Sequence, residues 1–158
     1  MTKYFTNNFA VINLYKKSSV KSEIVTQMMY GDTFSISRRS KKWFKIKIKE
    51  DGYNGFIINR KFSKFIKPTH KVNILKSRIF KFPNKRYKIN ELPFGSKIKV
   101  TESKEKFLRF AKGWIRKDDV KPIVYKQKNP FKKILIFKNI KYKWGGKSFK
   151  GIDCSALI

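Results

Sequence analysis

Between residues 9 and 122, hydrophobic and polar positions alternate in short runs that end at turn-forming residues. The clearest run is "WFKIKIKE", in which Phe44, Ile46 and Ile48 alternate with three lysines. Because side chains of a strand point alternately to opposite faces, this run predicts a strand with one buried and one solvated face. The stretch "EDGYNG" (Glu50 to Gly55) follows and predicts a turn into the next strand, "GFIIN".

The same order of signals occurs twice along the chain. Each copy opens with a short apolar segment, "VINLYK" or "VNILKS", and then passes an aromatic–glycine step, Tyr30-Gly31 or Phe94-Gly95. The two steps are separated by about the length of a small β-barrel. The pattern resembles two bacterial SH3-type modules in tandem, which we place at 9–67 and 70–122, with a joint near "IKPTHK". One continuous β-sandwich is the alternative, and the repeated order of signals disfavours it.

The pattern of short alternating hydrophobic and polar runs ends after residue 122. In "NPFKKILIFKNIKYK", an Asn-Pro pair precedes three apolar residues at helical spacing, Phe131, Ile134 and Leu135. Asparagine is a good N-cap and proline suits the first helical position, so the segment predicts a short helix. The following "WGGKSFKGI" predicts a loop.

The segment "DCSALI" predicts the start of another helix, with Asp153 as its N-cap and Cys154 in its first turn. The free N–H groups and the dipole of a helix start stabilise a thiolate, and those N–H groups can also hold an oxyanion. These residues alone do not establish a catalytic role, because a single cysteine at the start of a helix is more often a packing residue than a nucleophile.

The surrounding residues form a longer motif, Tyr142-x-Trp144-Gly145-Gly146 followed by Gly151-Ile152-Asp153-Cys154-Ser155. This motif closely resembles the nucleophile motif of the NlpC-type cell-wall cysteine peptidases. With two SH3-type modules ahead of it, the chain looks most like the bacterial dipeptidyl-peptidase six branch, the γ-D-glutamyl-L-diamino-acid endopeptidases. The resemblance implies a mainly β chain: two tandem SH3-like β-barrels followed by the first helical part of a papain-like α+β domain, here 129–158.

The resemblance also implies roles for individual residues. Cys154 would be the nucleophile, Asp153 and Ser155 would recognise the free amino end of a peptidoglycan-derived peptide, and Tyr142 would line the site. Tyr53 would be the aromatic residue of the first module that closes over the substrate. The family needs neither a cofactor nor a metal for this reaction.

Three features depart from the family pattern. Lys141 stands where the family usually has proline, and Ala156 stands where it usually has glycine. Thiol catalysis also needs a base, which in this family is a histidine well downstream of the cysteine. The only histidine here, His70, lies in the predicted joint between the modules. We therefore expect the chain to be the front portion of a longer enzyme and to be inactive alone.

The composition leaves other partners open. The chain has 40 basic and 10 acidic residues, a net charge of +30, which attracts anionic cell-wall polymers, nucleic acids or acidic lipid surfaces. No basic run exceeds two residues, so an ordinary solvated lysine surface is favoured over a dedicated polyanion site. Two alternatives to the peptidase stay open: a non-catalytic pair of SH3-type modules that binds cell wall, and a basic nucleic-acid-binding protein.

The chain shows no sign of export. One cysteine excludes an internal disulfide, which is typical of a reducing compartment. Asn7, Asn8 and Asn13 interrupt the apolar core that a signal peptide needs. The longest aliphatic and aromatic run, "ILIF", is far too short to span a bilayer. We expect a cytoplasmic protein without a membrane span.

Overall fold

The computed structural model describes residues 2–157, which are mostly β. The first part of the chain forms seven strands, β1 (Tyr4–Thr6), β2 (Val11–Tyr15), β3 (Ile24–Met29), β4 (Thr33–Arg39), β5 (Trp43–Ile48), β6 (Asn54–Ile58) and β7 (Ser63–Lys64). They form one sheet in the order β3-β2-β6-β5-β4-β1-β7, with antiparallel pairing between neighbours.

The alternating pattern of "WFKIKIKE" is confirmed in β5. Phe44, Ile46 and Ile48 are buried while Lys45 and Lys47 are exposed. The three apolar side chains join a core cluster with Ile12, Leu14, Met28, Phe34 and Ile57. The predicted turn also lies between two strands, because β5 pairs with β6 on either side of it.

The second part of the chain contains the strands β8 (His70–Val72), β9 (Lys76–Phe80), β10 (Lys88–Pro93), β11 (Lys97–Ile98), β12 (Glu102–Lys104), β13 (Phe107–Phe110), β14 (Gly113–Arg116) and β15 (Val120–Pro122). They form a five-stranded sheet, in the order β10-β9-β14-β13-β12, and a three-stranded sheet, in the order β11-β8-β15. These strands enclose a second cluster of buried side chains, built around Val72, Ile79, Leu92, Ile98 and Ile115. Mostly antiparallel sheets around separate cores agree with the predicted SH3-like fold class.

The two aromatic–glycine steps occupy similar places. Gly31 lies between β3 and β4 with φ +86°, and Gly95 lies between β10 and β11 with φ +82°. Both backbones therefore adopt the left-handed conformation that glycine tolerates best. The structure thus repeats the turn geometry as well as the sequence signal, while the module boundaries at 9–67 and 70–122 stay a prediction.

An ion cluster that includes the buried Asp32 joins the two parts. The Nζ atom of Lys97, on β11, lies 2.9 Å from Oδ1 of Asp32 and 2.8 Å from Oε1 of Glu50 in the first part. Burial raises the pKa of Asp32, and Lys97 partly offsets this effect. Burial also lowers the pKa of Lys97, but the two carboxylates outweigh it and hold this pKa above its usual value. Tyr30 inserts its ring into the second core cluster.

The last part of the chain contains little regular structure. It holds helix α1 (Pro130–Ile134), strands β16 (Lys147–Ser148) and β17 (Gly151–Ile152), and 3-10 turns at Leu135–Phe137 and Ser155–Leu157. The side chain of Asn129 accepts a hydrogen bond from the N–H of Lys132 at 2.9 Å, which confirms the predicted helix start. The segment predicted as a loop instead contains the short β16–β17 ladder.

The predicted apolar face of α1 is not buried. Phe131 is 81% exposed and Leu135 is 64% exposed. The predicted second helix is a single 3-10 turn within the described residues, and Ile158 lies outside them. No helix among residues 2–157 is long and apolar enough to cross a membrane.

Candidate functional site

The turn before Cys154 needs both of its glycines. Gly145 has φ +67°, and a Cβ atom at this position would lie 2.8 Å from the carbonyl oxygen of Ile24 on β3. A Cβ atom at Gly146 would lie 2.5 Å from the carbonyl oxygen of Gly151. Real Cβ atoms do not approach this closely, so only glycine lets the turn fold against β3 and β17 at once.

The carboxylate of Asp153 ties this turn to the turn that carries Cys154. Its Oδ2 accepts a hydrogen bond from the N–H of Gly145 at 2.9 Å. Its Oδ1 accepts from the hydroxyl of Ser155 at 2.8 Å and from the N–H of Ala156 at 2.9 Å. The bond to Ala156 is the geometry of an N-cap, which confirms the predicted capping role of Asp153.

Cys154 is exposed and lines an open cavity of about 440 Å³. Tyr142 and Asp153 line the same cavity, so three of the five predicted site residues meet there. The remaining wall is mostly apolar and comprises Ile134, Leu135, Phe137, Lys138, Ile140, Ile152 and Leu157. A thiol in such a place can be reached by a substrate that buries apolar atoms while polar groups contact Tyr142 and Asp153.

The fourth and fifth predicted residues lie outside the lining of this cavity. Ser155 reaches it only through its hydrogen bond to Asp153. Tyr53 lies in the turn between β5 and β6 and is 37% exposed. It contacts the last part of the chain through Lys147, whose Nζ lies 5.6 Å from the centre of the Tyr53 ring and pairs with Asp51. The structure therefore brings four predicted residues together, whereas Tyr53 contacts this part of the chain through Lys147.

Two residues of the first part that the sequence did not single out, Glu23 and Gln27, bind the segment that carries the site. The indole N–H of Trp144 donates to Oε1 of Glu23 at 3.2 Å, and the N–H of Lys147 donates to Oε1 of Gln27 at 2.9 Å. Glu23 and Gln27 lie far from the motif along the chain and carry no local sign of this role. By contrast, the apolar wall could have been found, because Ile134, Leu135 and Phe137 lie close together in "ILIF".

The second part of the chain also contacts this segment. The rings of Phe94 and Phe137 meet edge to face with their centres 5.6 Å apart. The Nζ atom of Lys133 donates to the carbonyl oxygen of Asn73 and lies 5.6 Å from the Phe94 ring centre. Lys76 places its Nζ 5.1 Å from the ring of Phe149. Phe137 lines the cavity, so the second part contacts the cavity wall directly.

His70 lies on β8, away from the cavity lining. Its Nδ1 lies 2.9 Å from the hydroxyl of Thr69, and burial lowers its pKa. It pairs with Ile98 and Pro122 across the three-stranded sheet. Its position fits a structural role in the second part and not a base for Cys154. Within residues 2–157, His, Cys, Asp and Glu form no group of three or more that could hold a metal ion.

Comparisons with known proteins agree with the fold. Residues 14–60 match the family model of the bacterial dipeptidyl-peptidase Sh3 domain. A crystal structure of an NlpC/P60 family protein from Bacillus cereus superposes with a TM-score of 0.78 at 16% identity, over 98% of this chain and 70% of that one. At this identity the similarity shows the fold alone. It extends over nearly the whole chain, including the segment that carries Cys154.

Two further structures, NlpC2 and NlpC1 from Trichomonas vaginalis, are aligned over 99% of this chain and 63% and 60% of theirs. Their identities are 15% and 16%, and their TM-scores of 0.33 and 0.34 are too low to support an argument. No curated protein matches the chain.

Proposed function

We propose that this chain carries the nucleophile of a cell-wall cysteine peptidase that cleaves the γ-D-glutamyl to diamino-acid bond of peptidoglycan stem peptides. The observation that carries the proposal is the cavity in which the exposed Cys154 thiol meets Tyr142 and Asp153. The Sh3-domain match at 14–60 and the fold shared with an NlpC/P60 family protein support a relationship to cell-wall peptidases. The substrate bond rests on the resemblance of the motif.

The chemistry would proceed in two steps at the sulfur of Cys154. The thiolate attacks the γ-D-glutamyl carbonyl carbon, the C–N bond breaks, and the amine leaves with a proton from a general acid. Water then attacks the resulting thioester and releases the γ-carboxyl group with the free thiol. Both steps pass through an oxyanion, which backbone N–H groups of the turn after Asp153 would stabilise.

Asp153 can combine two tasks in this proposal. Its Oδ1 already accepts two hydrogen bonds, whereas Oδ2 accepts one, from Gly145. A carboxylate oxygen can accept two, so Oδ2 keeps room for the free amino end of a stem peptide. Tyr142, which is 66% exposed and lines the same cavity, would also contact the peptide. Tyr53 would approach from the β5–β6 turn, where Lys147 now faces its ring.

We further propose that the residues of this chain are not sufficient for turnover. His70, its only histidine, lies on β8 outside the cavity, and the reaction needs a base to take and return the proton. The test is incubation of the purified chain with a γ-D-glutamyl-diaminopimelate peptide and detection of the released amine. We expect no release. Release that disappears in Cys154→Ala would show that a base is present and would overturn this part of the proposal.

A non-catalytic cell-wall-binding protein is the second candidate. The observation that favours it is that the family match covers only residues 14–60, within the first β part. A pulldown with purified peptidoglycan, using the full chain and its Tyr142→Ala and Cys154→Ala variants, separates the two. Binding that both variants retain would place the contact on the β parts. Binding that Tyr142→Ala loses would support the cavity.

A further inference from the structure

The hairpin formed by β9 and β10 carries an unusual concentration of positive charge. Residues 76–90 contain no acidic residue and six basic ones, Lys76, Arg78, Lys81, Lys85, Arg86 and Lys88. Glu91 at the hairpin base pairs with Lys76 at 3.4 Å and with Lys88 at 2.8 Å. The other four cations form no ion pair with any residue among 2–157, so their charge is directed to solvent.

The same hairpin exposes apolar side chains. Phe82 is 45% exposed, Tyr87 is 59% exposed and Ile89 is 52% exposed. The two rings meet edge to face with centres 5.8 Å apart, and Nζ of Lys81 lies 5.5 Å from the Phe82 ring centre. The β9–β10 register shifts between Lys88 and Asn90, so Ile89 is the extra residue of a bulge. The hairpin therefore combines exposed apolar side chains with four cations that form no ion pair among residues 2–157.

A basic groove lies beside the hairpin. It has a volume of about 350 Å³ and is lined by Ile74, Lys76, Arg78, Phe80, Lys85, Arg116 and Asp119. Asp119 is buried and its Oδ2 accepts a hydrogen bond from the hydroxyl of Ser77 at 2.7 Å. Arg116 is partly balanced by Asp118 at 3.3 Å. Four basic side chains around one concave surface suit a phosphate-sized anion.

We propose that the β9–β10 hairpin and this groove dock onto an anionic lipid surface. Phe82, Tyr87 and Ile89 enter the interfacial layer of the bilayer, and the cations of the hairpin face the headgroup phosphates. Stable attachment to a membrane surface takes an apolar and an electrostatic contribution together, and this hairpin supplies both. Single-stranded nucleic acid is disfavoured, since Ile89 has no ring to stack on a base and Lys81 lies against Phe82.

Vesicle binding by the full 158-residue chain tests this proposal. Vesicles of phosphatidylcholine with about a third phosphatidylglycerol are compared with pure phosphatidylcholine vesicles at low and physiological salt. We expect binding to the anionic vesicles that weakens as salt rises. Each basic residue near such a surface contributes about fivefold to partitioning. The variant K81Q/K85Q/R86Q should therefore bind on the order of 100-fold more weakly.

Matched variants separate the hairpin from general charge attraction. R38Q/K41Q/K42Q removes the same charge from exposed positions of the β4–β5 hairpin and should lose far less affinity. F82S/Y87S should weaken binding about tenfold or more, whereas V20S/V124S, which removes two other exposed apolar side chains, should not.

Three results would overturn the proposal. The first is an absence of vesicle binding at low salt. The second is an equal loss of affinity in the hairpin variant and in its charge-matched control. The third is binding to a single-stranded oligonucleotide but not to vesicles, lost in F82S/Y87S, which would assign the hairpin to nucleic acid. Circular dichroism of each variant checks that the sheets remain folded.

Discussion

Gly31 lies where the two β parts meet, and its backbone has φ +86°. A Cβ atom there would lie 2.0 Å from the carbonyl oxygen of Lys97. Gly52 has a similar φ of +76° but nothing within 4 Å of the position of a Cβ atom. Alanine substitutions at these two glycines therefore distinguish the cost of backbone strain alone from the cost of strain combined with a steric clash.

Gly31→Ala should destabilise the protein by at least about 3 kcal/mol, because it adds a clash with backbone to the strain of the left-handed conformation. Gly52→Ala should cost about 1 kcal/mol, from strain alone. Urea unfolding followed by circular dichroism measures both. Equal costs for the two substitutions would contradict the close approach of Gly31 to β11.

Lys97 provides a pH-dependent contribution at the same contact. Asp32 and Glu50 hold the pKa of Lys97 above its ordinary value of 10.5 in the folded state. The folded state thus binds this proton more tightly than the unfolded chain, so the contribution is complete below pH 10.5 and is lost as pH rises through the folded-state pKa. The free energies of unfolding of the wild type and of Lys97→Met, measured from pH 8 to 12, should converge at high pH.

Lys99→Met is the control, because Lys99 is exposed and forms no ion pair among residues 2–157. At pH 8, Lys97→Met should cost about 3 kcal/mol, since it leaves the buried Asp32 carboxylate without its partner. Lys99→Met should cost little. A gap between Lys97→Met and the wild type that is independent of pH would show that the ion cluster is not the cause.

At the scale of elements, the strands could be predicted better than the last part of the chain. The alternation in β5 could be read directly, because one face of the strand packs into the core and the other meets water. The ladder of β16 and β17 could not, since two residues per strand are too few to show a period. Helix α1 starts where predicted but ends after one turn and a half, and its apolar residues are exposed.

The candidate site also combines features that could be predicted from the sequence with features that could not. The capping role of Asp153 follows from local sequence, because an N-cap binds an N–H three residues ahead. The bond from Gly145 to Asp153 does not follow, because it depends on how the Gly-Gly turn folds back over β17. The hydrogen bond from Trp144 to Glu23 joins residues that are 121 positions apart, so it can be seen only in the three-dimensional structure.

Asp153→Asn should separate the bond that Oδ2 of this carboxylate accepts from those that Oδ1 accepts. The amide keeps one oxygen for the N–H of Ala156 but turns an NH₂ group toward the N–H of Gly145. Hydrogen exchange of the Gly145 amide should therefore accelerate about 10-fold or more, while that of Ala156 changes less.

Two further variants serve as controls for this experiment. Asp153→Ala removes both acceptors and should accelerate exchange at both amides. Ser155→Ala leaves the carboxylate in place and should accelerate neither. Unchanged exchange at Gly145 in Asp153→Ala would mean that the carboxylate does not hold the Gly-Gly turn.

At the scale of the whole molecule, the last part of the chain rests on both β parts. It contacts the first part at Glu23 and on β3, through Trp144 and Lys147, and it contacts the second part through Phe137 and Lys133. The β parts therefore position the cavity as well as their own surfaces. The fold similarity to an NlpC/P60 family protein likewise extends over nearly the whole chain.

The central claim is that the cavity at Cys154 recognises a γ-D-glutamyl peptide. Reaction of a thiol with a chloromethyl ketone needs a thiolate but no turnover, so it can be measured on this chain without a catalytic base. The most direct measurement is the ratio of labelling rates at Cys154, by intact-mass spectrometry, for γ-D-glutamyl and γ-L-glutamyl chloromethyl ketones that carry a free amino end. We predict a preference of at least about tenfold for the D isomer, lost in Tyr142→Ala. Equal rates for the two isomers would contradict the claim.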